Sequence, residues 1–427
     1  MVTHERPGLS RTVATIIATG GVIGAMLGTS PGVAAANTSG VTVTPAQSLA
    51  KGLVDRLVGD VPAPTDIAFT PNGRGLITSR AGTLRIIRDD AVLAHPAVDL
   101  SGRICSNGER GLLGIAVDPK FRTTHWIYLF WTFDKSDSCG EAPAATPVNR
   151  VTRFTLDGTT VARGSAQLIV DNIPSPASNH NAGDLAFGAD NRLYITTGDG
   201  GCEIGVPTDC GELNDNSRRL DIPNGKVLRV TRGGGIPADN PYVGALGARL
   251  CAAPGGPDVC NGPCLETFAS GLRNPFRMDI APGTSTPWVN DVGQSTWEEI
   301  DQIQAGADYG WNIREGFCAT GSTTDCTATA YADPQFSYDR STGCRTVTGA
   351  AFVPTGTWSG RFDGDYIFAD FACNSIWRLH DGGGLLSAKP LSPADGPVAL
   401  AFGPSPRGRA LYYLENVTGE IHRLNPR

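Results

Sequence analysis

The sequence predicts an all-β protein built as a six-bladed β-propeller, and three observations carry that expectation. One pattern recurs six times: a short apolar strand, a turn with Pro, Asp, Asn or Gly, an aromatic or β-branched strand, and a strand ending in Arg plus an aliphatic residue. The 54 glycines and 30 prolines are spread along the 427 residues, which means many tight turns rather than one disordered tract. Stretches with the 3.6-residue apolar period of a helix are scarce.

The copies run in order from "DIAFTPNGRGLITSRAGTLRII" and "LLGIAVDPKFRTTHWIYLFWTF" through "GDLAFGADNRLYITTGDG" and "FRMDIAPGTSTPWVNDVGQSTWEEIDQI" to "GAAFVPTGTWSGRFDGDYIFADFACNSIWRL" and "VALAFGPSPRGRALYYLENVTGEIHRL". Each supplies three or four strands of period-two alternation. Such a unit cannot bury both faces alone, so the copies pack face to face around an axis. The anchors Ile67, Ile115, Ala186, Asp279, Ala351 and Ala399 are unevenly spaced, which assigns insertions to Cys139–Thr146, Gly201–Gly225 and Gly234–Pro263. A two-domain β-sandwich is the alternative, but it gives no reason for a sixfold repeat.

Ahead of the repeats, Arg6 and Arg11 precede an apolar run from Val13 to Leu27 and the small residues Ala34-Ala35-Ala36, the order of an export signal. Residues 1–36 therefore read as a signal peptide and 37–61 as an N-terminal segment with a short amphipathic helix over Thr44–Val58. In that helix Thr44 would cap and Pro45 would suit the first turn. Residues 62–427 read as the propeller, and a secreted, extracellular protein is expected. No later segment holds the roughly 20 apolar residues of a membrane span.

A formal net charge of −7, without any cluster of Lys and Arg, argues against a nucleic-acid partner and for small or neutral ones. The eleven cysteines, all between Cys105 and Cys373, read as disulfides with one left over. The pairs expected are Cys202 with Cys210, Cys318 with Cys326, Cys251 with Cys260 or Cys264, and Cys344 with Cys373. Zinc at Cys251, Cys260 and Cys264 is the weaker reading, because CxxC spacing is missing and no histidine lies nearby.

Six motifs in this order, "GERGLLGIAVDPKF", "NHNAGDLAFGADNRLYITTGDG", "GKVLRV", "GLRNPFRMDI", "DVGQSTWEEID" and "ADYGWNIREG", resemble the soluble pyrroloquinoline-quinone-dependent glucose/sorbosone dehydrogenases. The resemblance is to the bacterial aldose sugar dehydrogenases in particular, and it runs from about Pro62 to Leu424. It implies a propeller with pyrroloquinoline quinone (PQQ), calcium and a sugar at the funnel mouth, and electrons leaving to an external acceptor.

His180 lies between two asparagines in "NHNAG". Histidine is the side chain whose ordinary pKa suits a general base, and the resemblance assigns it removal of the anomeric hydroxyl proton. A turn histidine bonded to backbone is the bland alternative. Arg273 and Asn274 in "GLRNPF" match cofactor-binding positions, a guanidinium fork being suited to carboxylate or quinone oxygens. A turn Arg capping blade carbonyls is the alternative there. In "DVGQSTWEEID" the resemblance places calcium on the carbonyls of Gly293 and Gln294 and the carboxylate of Glu299, with Glu298 at most a supporting neighbour. A solvated charged turn is the plain reading, and "GDGG", Gly198–Gly201, reads as a blade turn.

Departures from the family pattern bear on activity. Glu109 and Asn179, taken as cofactor-binding positions, stand where glucose-oxidising members carry glutamine and aspartate. About Ala372 stands where they carry lysine, and "SPADGPVALAF" lacks two late arginines. Carboxylates buried without counter-charges cost on the order of several kcal/mol each, so Arg110, Arg345 and Lys226 are the expected substitutes. The leading expectation is a secreted quinoprotein that oxidises the C1 hydroxyl of an aldose to a lactone. The alternatives are a non-catalytic calcium-binding propeller that recognises a carbohydrate or protein, and a calcium-dependent lactonase-type hydrolase.

Overall fold

The computed structural model describes residues 40–427, apart from 136–138, 141–146, 202–213, 255–260, 328–329 and 383–384. The signal-peptide reading of residues 1–36 and the Cys202–Cys210 pairing lie outside the described residues.

Six antiparallel sheets make the six blades. Their first strands are Pro64–Phe69, Leu112–Val117, Ala182–Phe187, Pro275–Ile280, Val347–Phe352 and Pro397–Ser405, and every one of the six sequence anchors falls in one of them. Each first strand packs against the first strands of the two neighbouring blades, so the six form a closed ring around an axial tunnel. The blade faces are sealed by apolar side chains at alternate positions. Leu113, Phe130, Val151, Leu185 and Ile195, for instance, share one cluster between the second and third blades.

The helix expected over Thr44–Val58 is not there. Leu53–Asp60 is a β-strand that pairs antiparallel with Glu420–Pro426, from Leu53 opposite Pro426 to Asp60 opposite Glu420. The last blade would otherwise end in an unpaired edge, and an isolated helix of this length is marginal in water. Pairing with the far end of the chain wins, and the propeller thus begins at Leu53 rather than at residue 62. Among the described residues the α-helix content is one turn, Phe121–Thr124.

Carboxylates stitch the ring together. Asp66, Asp184 and Asp279 sit at matching places in three first strands, and each accepts the N–H of the residue after it. The second oxygen of each takes an N–H from the next blade: Ile115 at 2.8 Å, Met278 at 2.6 Å and Phe352 at 2.7 Å. Burial pushes Asp66 up to about 7 and Asp279 up to about 6. Arg277 crosses the tunnel beside Asp66 and Asp184 and donates to the carbonyls of Thr65 and Leu113. Arg277 lines two cavities within the ring of first strands, of about 200 Å³ and about 380 Å³.

Among the described residues there are four disulfides: Cys105–Cys139, Cys251–Cys264, Cys318–Cys326 and Cys344–Cys373. Three match the sequence expectation, with Cys264 as the partner of Cys251, which rules out zinc there. The Cys105–Cys139 bridge was not foreseen.

Candidate functional site

The smaller cavity is walled by Leu113, Ala182, Phe276, Phe371 and Val398, with Thr65, Thr346, Thr348, Arg80, Glu109 and Asn416 supplying its polar groups. Glu109 ties it to His180, because the Glu109 Oε2 accepts the His180 backbone N–H at 2.8 Å.

His180 is held in an unusual backbone, with φ at +50°, at the entry to the first strand of the third blade. Its Nδ1 lies 2.8 Å from Oδ1 of Asp199, a residue with no exposed surface. Asp199 also takes the Gly201 N–H, the Asn214 amide and the Trp311 indole N–H at 2.9, 2.8 and 3.0 Å. Burial alone would raise its pKa. The charge and hydrogen bond of His180, the charge of Arg273 and the Asn214 amide outweigh burial and hold it below the usual carboxylate range. An ionised Asp199 can only accept, so Nδ1 is the nitrogen that donates to it, and in the neutral ring Nε2 is the one left with a lone pair. Sequence reasoning passed over Asp199 as part of a turn. The available signal was an aspartate followed by two glycines, which adopt φ of +91° and +83° here and let the backbone fold around the carboxylate.

Gly198 brings two motifs of the site together. A Cβ on it would lie 2.0 Å from the His180 carbonyl oxygen and 3.1 Å from Asn274 Oδ1, so the "NHNAG" and "LRN" segments meet across a bare backbone. Asn179 packs the same way over Gly201, whose Cβ would fall 2.0 Å from Asn179 Oδ1.

Arg273 and Asn274 are both buried, and their backbone N–H groups bond to the two oxygens of Asp291 at 2.8 and 2.6 Å. The Arg273 carbonyl accepts the Asp199 N–H at 2.8 Å, and the Arg273 guanidinium stacks on the Trp311 ring at 5.5 Å. His180, Asp199, Arg273 and Asn274 are therefore one connected group. Asn274 Oδ1 and Arg273 Nε are buried without a hydrogen-bond partner among the described residues. Asp291 is the cross-strand neighbour of Glu299, which places Glu299 beside that group.

The proposed calcium ligands do not fit calcium. Gly293 O accepts from Arg273 Nη1 and from Arg340 Nη2, both at 2.7 Å, which uses both of its lone pairs. Gln294 O accepts from the other Arg340 nitrogen, Nη1. Glu299 Oε1 takes the Gly316 N–H at 2.6 Å, and burial together with Asp301, Asp291 and Glu315 raises its pKa well above the usual value. A dication 4 Å from a guanidinium would meet repulsion on the order of 8 kcal/mol at an effective dielectric constant of about 20. The resemblance carried the metal to these positions, but the arginine that bonds to both carbonyls lies 46 residues beyond Gln294, and no local motif announces it.

Two of the three expected substitute cations are structural. Arg110 is fully buried and donates to Ser175 Oγ and the Ser175 and Cys139 carbonyls. Lys226 is fully buried with its Nζ on the carbonyls of Asn216, Ser217 and Asn224, and burial pulls it down to about 7. Arg345 is exposed, next to the cavity residue Thr346. Sequence reasoning missed Arg80, which lines the cavity with its Nη1 fixed to the Gly108 carbonyl at 2.8 Å.

Residues 61–392 match the model of a glucose/sorbosone dehydrogenase family. The aldose sugar dehydrogenase of Escherichia coli is 30% identical over 256 residues, 58% of this chain and 59% of that protein. Quinoprotein glucose dehydrogenase B of Acinetobacter calcoaceticus is 26% identical over 267 residues, 60% of this chain and 51% of that protein. The chain thus spans little more than half the length of these curated relatives. Among solved structures, the PQQ-bound aldose sugar dehydrogenase of Streptomyces coelicolor superposes with a TM-score of 0.64 at 21% identity, over 89% of this chain and all of the other. The apo E. coli enzyme superposes with a TM-score of 0.69 at 21% identity, over 88% of this chain and all of the other, so the propeller fold is shared. With its family model matched over most of its length, the chain belongs to the glucose/sorbosone dehydrogenase family.

Proposed function

We propose that this chain is an exported quinoprotein that oxidises the C1 hydroxyl of an aldose-type sugar to a lactone. The observation that carries the reading is the His180–Asp199 pair, set beside a small cavity through Glu109 and joined to Arg273 and Asn274. Export is supported by the four disulfides, which persist in oxidising compartments.

The group that fits the cavity is planar, aromatic and anionic. Phe276 and Phe371 offer flat faces, Arg80 and Arg277 positive charge, and Thr65, Thr346, Thr348 and Asn416 hydrogen bonds. Asn274 Oδ1, buried without a partner among the described residues, is left able to accept a further donor. PQQ has this character, and when bound it would supply the centre that accepts a hydride, two electrons with one proton, from the sugar. The protein's part is to hold and to take a proton. Asp199 keeps the imidazole oriented with Nε2 unprotonated, and Nε2 removes the C1 hydroxyl proton as the C1–H bond is lost. The resulting imidazolium is stabilised by the ionised Asp199. Thr346, Thr348 and Asn416 orient polar ligand groups, and the apolar wall keeps water from the reacting carbon.

The test is reconstitution. Purified mature chain is loaded with PQQ and offered a panel of aldoses with an artificial electron-accepting dye, and C1 oxidation is read as lactone by mass spectrometry. Dye reduction with an aldose supports the reading. PQQ or sugar binding without turnover points to a recognition propeller instead, for which the burial of Arg110 and Lys226 away from the cavity is the favouring observation.

A further inference from the structure

The turn from Gly293 to Trp297 is closed on both sides by protein charges of opposite sign. On its N–H side, Oε1 of Glu315 accepts the backbone N–H groups of Gln294, Ser295, Thr296 and Trp297 at 2.8, 2.9, 2.9 and 3.1 Å. On its carbonyl side, the Arg340 guanidinium spans Gly293 O and Gln294 O, and Arg273 adds a second donor to Gly293 O and one to Val292 O. Arg340 is anchored from behind by Glu298, which accepts from Nε at 2.9 Å and also from Nη2. Glu298 is fixed in turn by the Val347 N–H at 2.9 Å.

Carbonyl oxygens gathered on one side of a tight turn are the usual means of holding a hard cation at about 2.3–2.6 Å. Here the donors of a guanidinium meet the same oxygens. A guanidinium is permanently charged and planar, and its paired nitrogens match two adjacent acceptors. An arginine in that role is covalently part of the chain, so it neither dissociates nor responds to chelators. We infer that Arg340 is a built-in cation at this turn, in place of a divalent metal, and that the protein takes up its quinone without calcium. The quinone clause rests on the function proposed above, whereas the metal clause stands on the turn alone.

Two measurements on the full mature chain separate these clauses. The first is PQQ affinity, followed by absorbance titration in EDTA and in millimolar calcium; the second is terbium luminescence excited through tryptophan, in the wild-type protein, Trp297→Phe and Arg340→Met. The expected results are PQQ affinities within twofold of each other and no wild-type terbium signal that Trp297→Phe removes. Arg340→Met, if folded by circular dichroism, gains such a signal, because Gln294 O is released and Gly293 O keeps Arg273 as its one remaining donor among the described residues. A tenfold or greater loss of PQQ affinity in EDTA, or a wild-type terbium signal abolished by Trp297→Phe, would overturn the inference. So would a folded Arg340→Met chain that gains no signal. Should PQQ fail to bind in either condition, the proposed function fails while the terbium arms still decide the metal clause. Should Arg340→Met fail to fold, the wild-type arms decide.

Discussion

His180 Nδ1 sits 2.8 Å from Asp199 Oδ1, and the aspartate that receives it has no exposed surface and also accepts from Gly201, Asn214 and Trp311. That arrangement fixes which imidazole nitrogen is free. Asp199→Asn, which can present an N–H to the ring and favour the wrong tautomer, is expected to lower kcat by about 10²–10⁴-fold with PQQ affinity retained. The pH profile of kcat should move as well, an effect that a merely structural role for Asp199 would not produce.

Gly198 admits no side chain without displacing backbone, since its Cβ would lie 2.0 Å from the His180 carbonyl. Gly198→Ala is expected to cost about 1–3 kcal/mol of stability, as overpacking does, and to lower turnover at least tenfold by moving His180. Urea unfolding and steady-state kinetics on one preparation check both parts. An alanine variant with wild-type turnover would show that the site tolerates a shifted base.

Glu315 carries four backbone donors on one buried oxygen, with no side-chain cation bonded to it among the described residues. Glu315→Ala strands those N–H groups and is expected to destabilise the chain by about 2–4 kcal/mol, with Glu315→Gln losing less because its amide oxygen still accepts. Equal losses in the two variants would mean that the carboxylate charge, rather than acceptance of the four bonds, holds the turn.

The strand that closes the ring carries a pH dependence. His422 pairs with Asp55 across the seam at 3.3 Å and with Glu420 at 3.0 Å, and it stacks on Tyr413. Burial pulls its pKa down, but the hydrogen bonds to Asp55 and Glu420, and the charges of Asp55 and Glu415, raise it to about 9. A group whose folded pKa lies above its unfolded value stabilises fully below the unfolded pKa and loses that contribution as pH rises through the folded one. The Tm difference between wild type and His422→Gln should therefore be largest below about pH 6.5 and shrink as pH rises through 9. A difference that stays constant from pH 6 to pH 10 would remove His422 from the seam's energetics.

The first strands of the blades were legible because each presents a short apolar run ended by a turn residue, a signal that survives any change in blade length. The Thr44–Val58 segment misled because its spacing suits a helix locally, whereas its partner, Glu420–Pro426, lies at the other end of the chain. His180, Arg273 and Asn274 stood out by motif and do converge. Asp199 did not stand out, since an aspartate followed by glycines looks like any turn until its carboxylate is seen to be enclosed. Arg340 and Glu315 were invisible for a related reason: they satisfy a turn from 46 and 21 residues away, and only the folded chain brings them to it.

In the proposed reaction His180 removes the proton from the sugar's C1 hydroxyl. The most direct measurement is single-turnover oxidation of an aldose by PQQ-loaded His180→Ala beside the wild-type protein, with PQQ occupancy of both verified by absorbance. Equal occupancy and a rate at least about 10²-fold lower in the variant are expected. An unchanged rate at equal occupancy would contradict it.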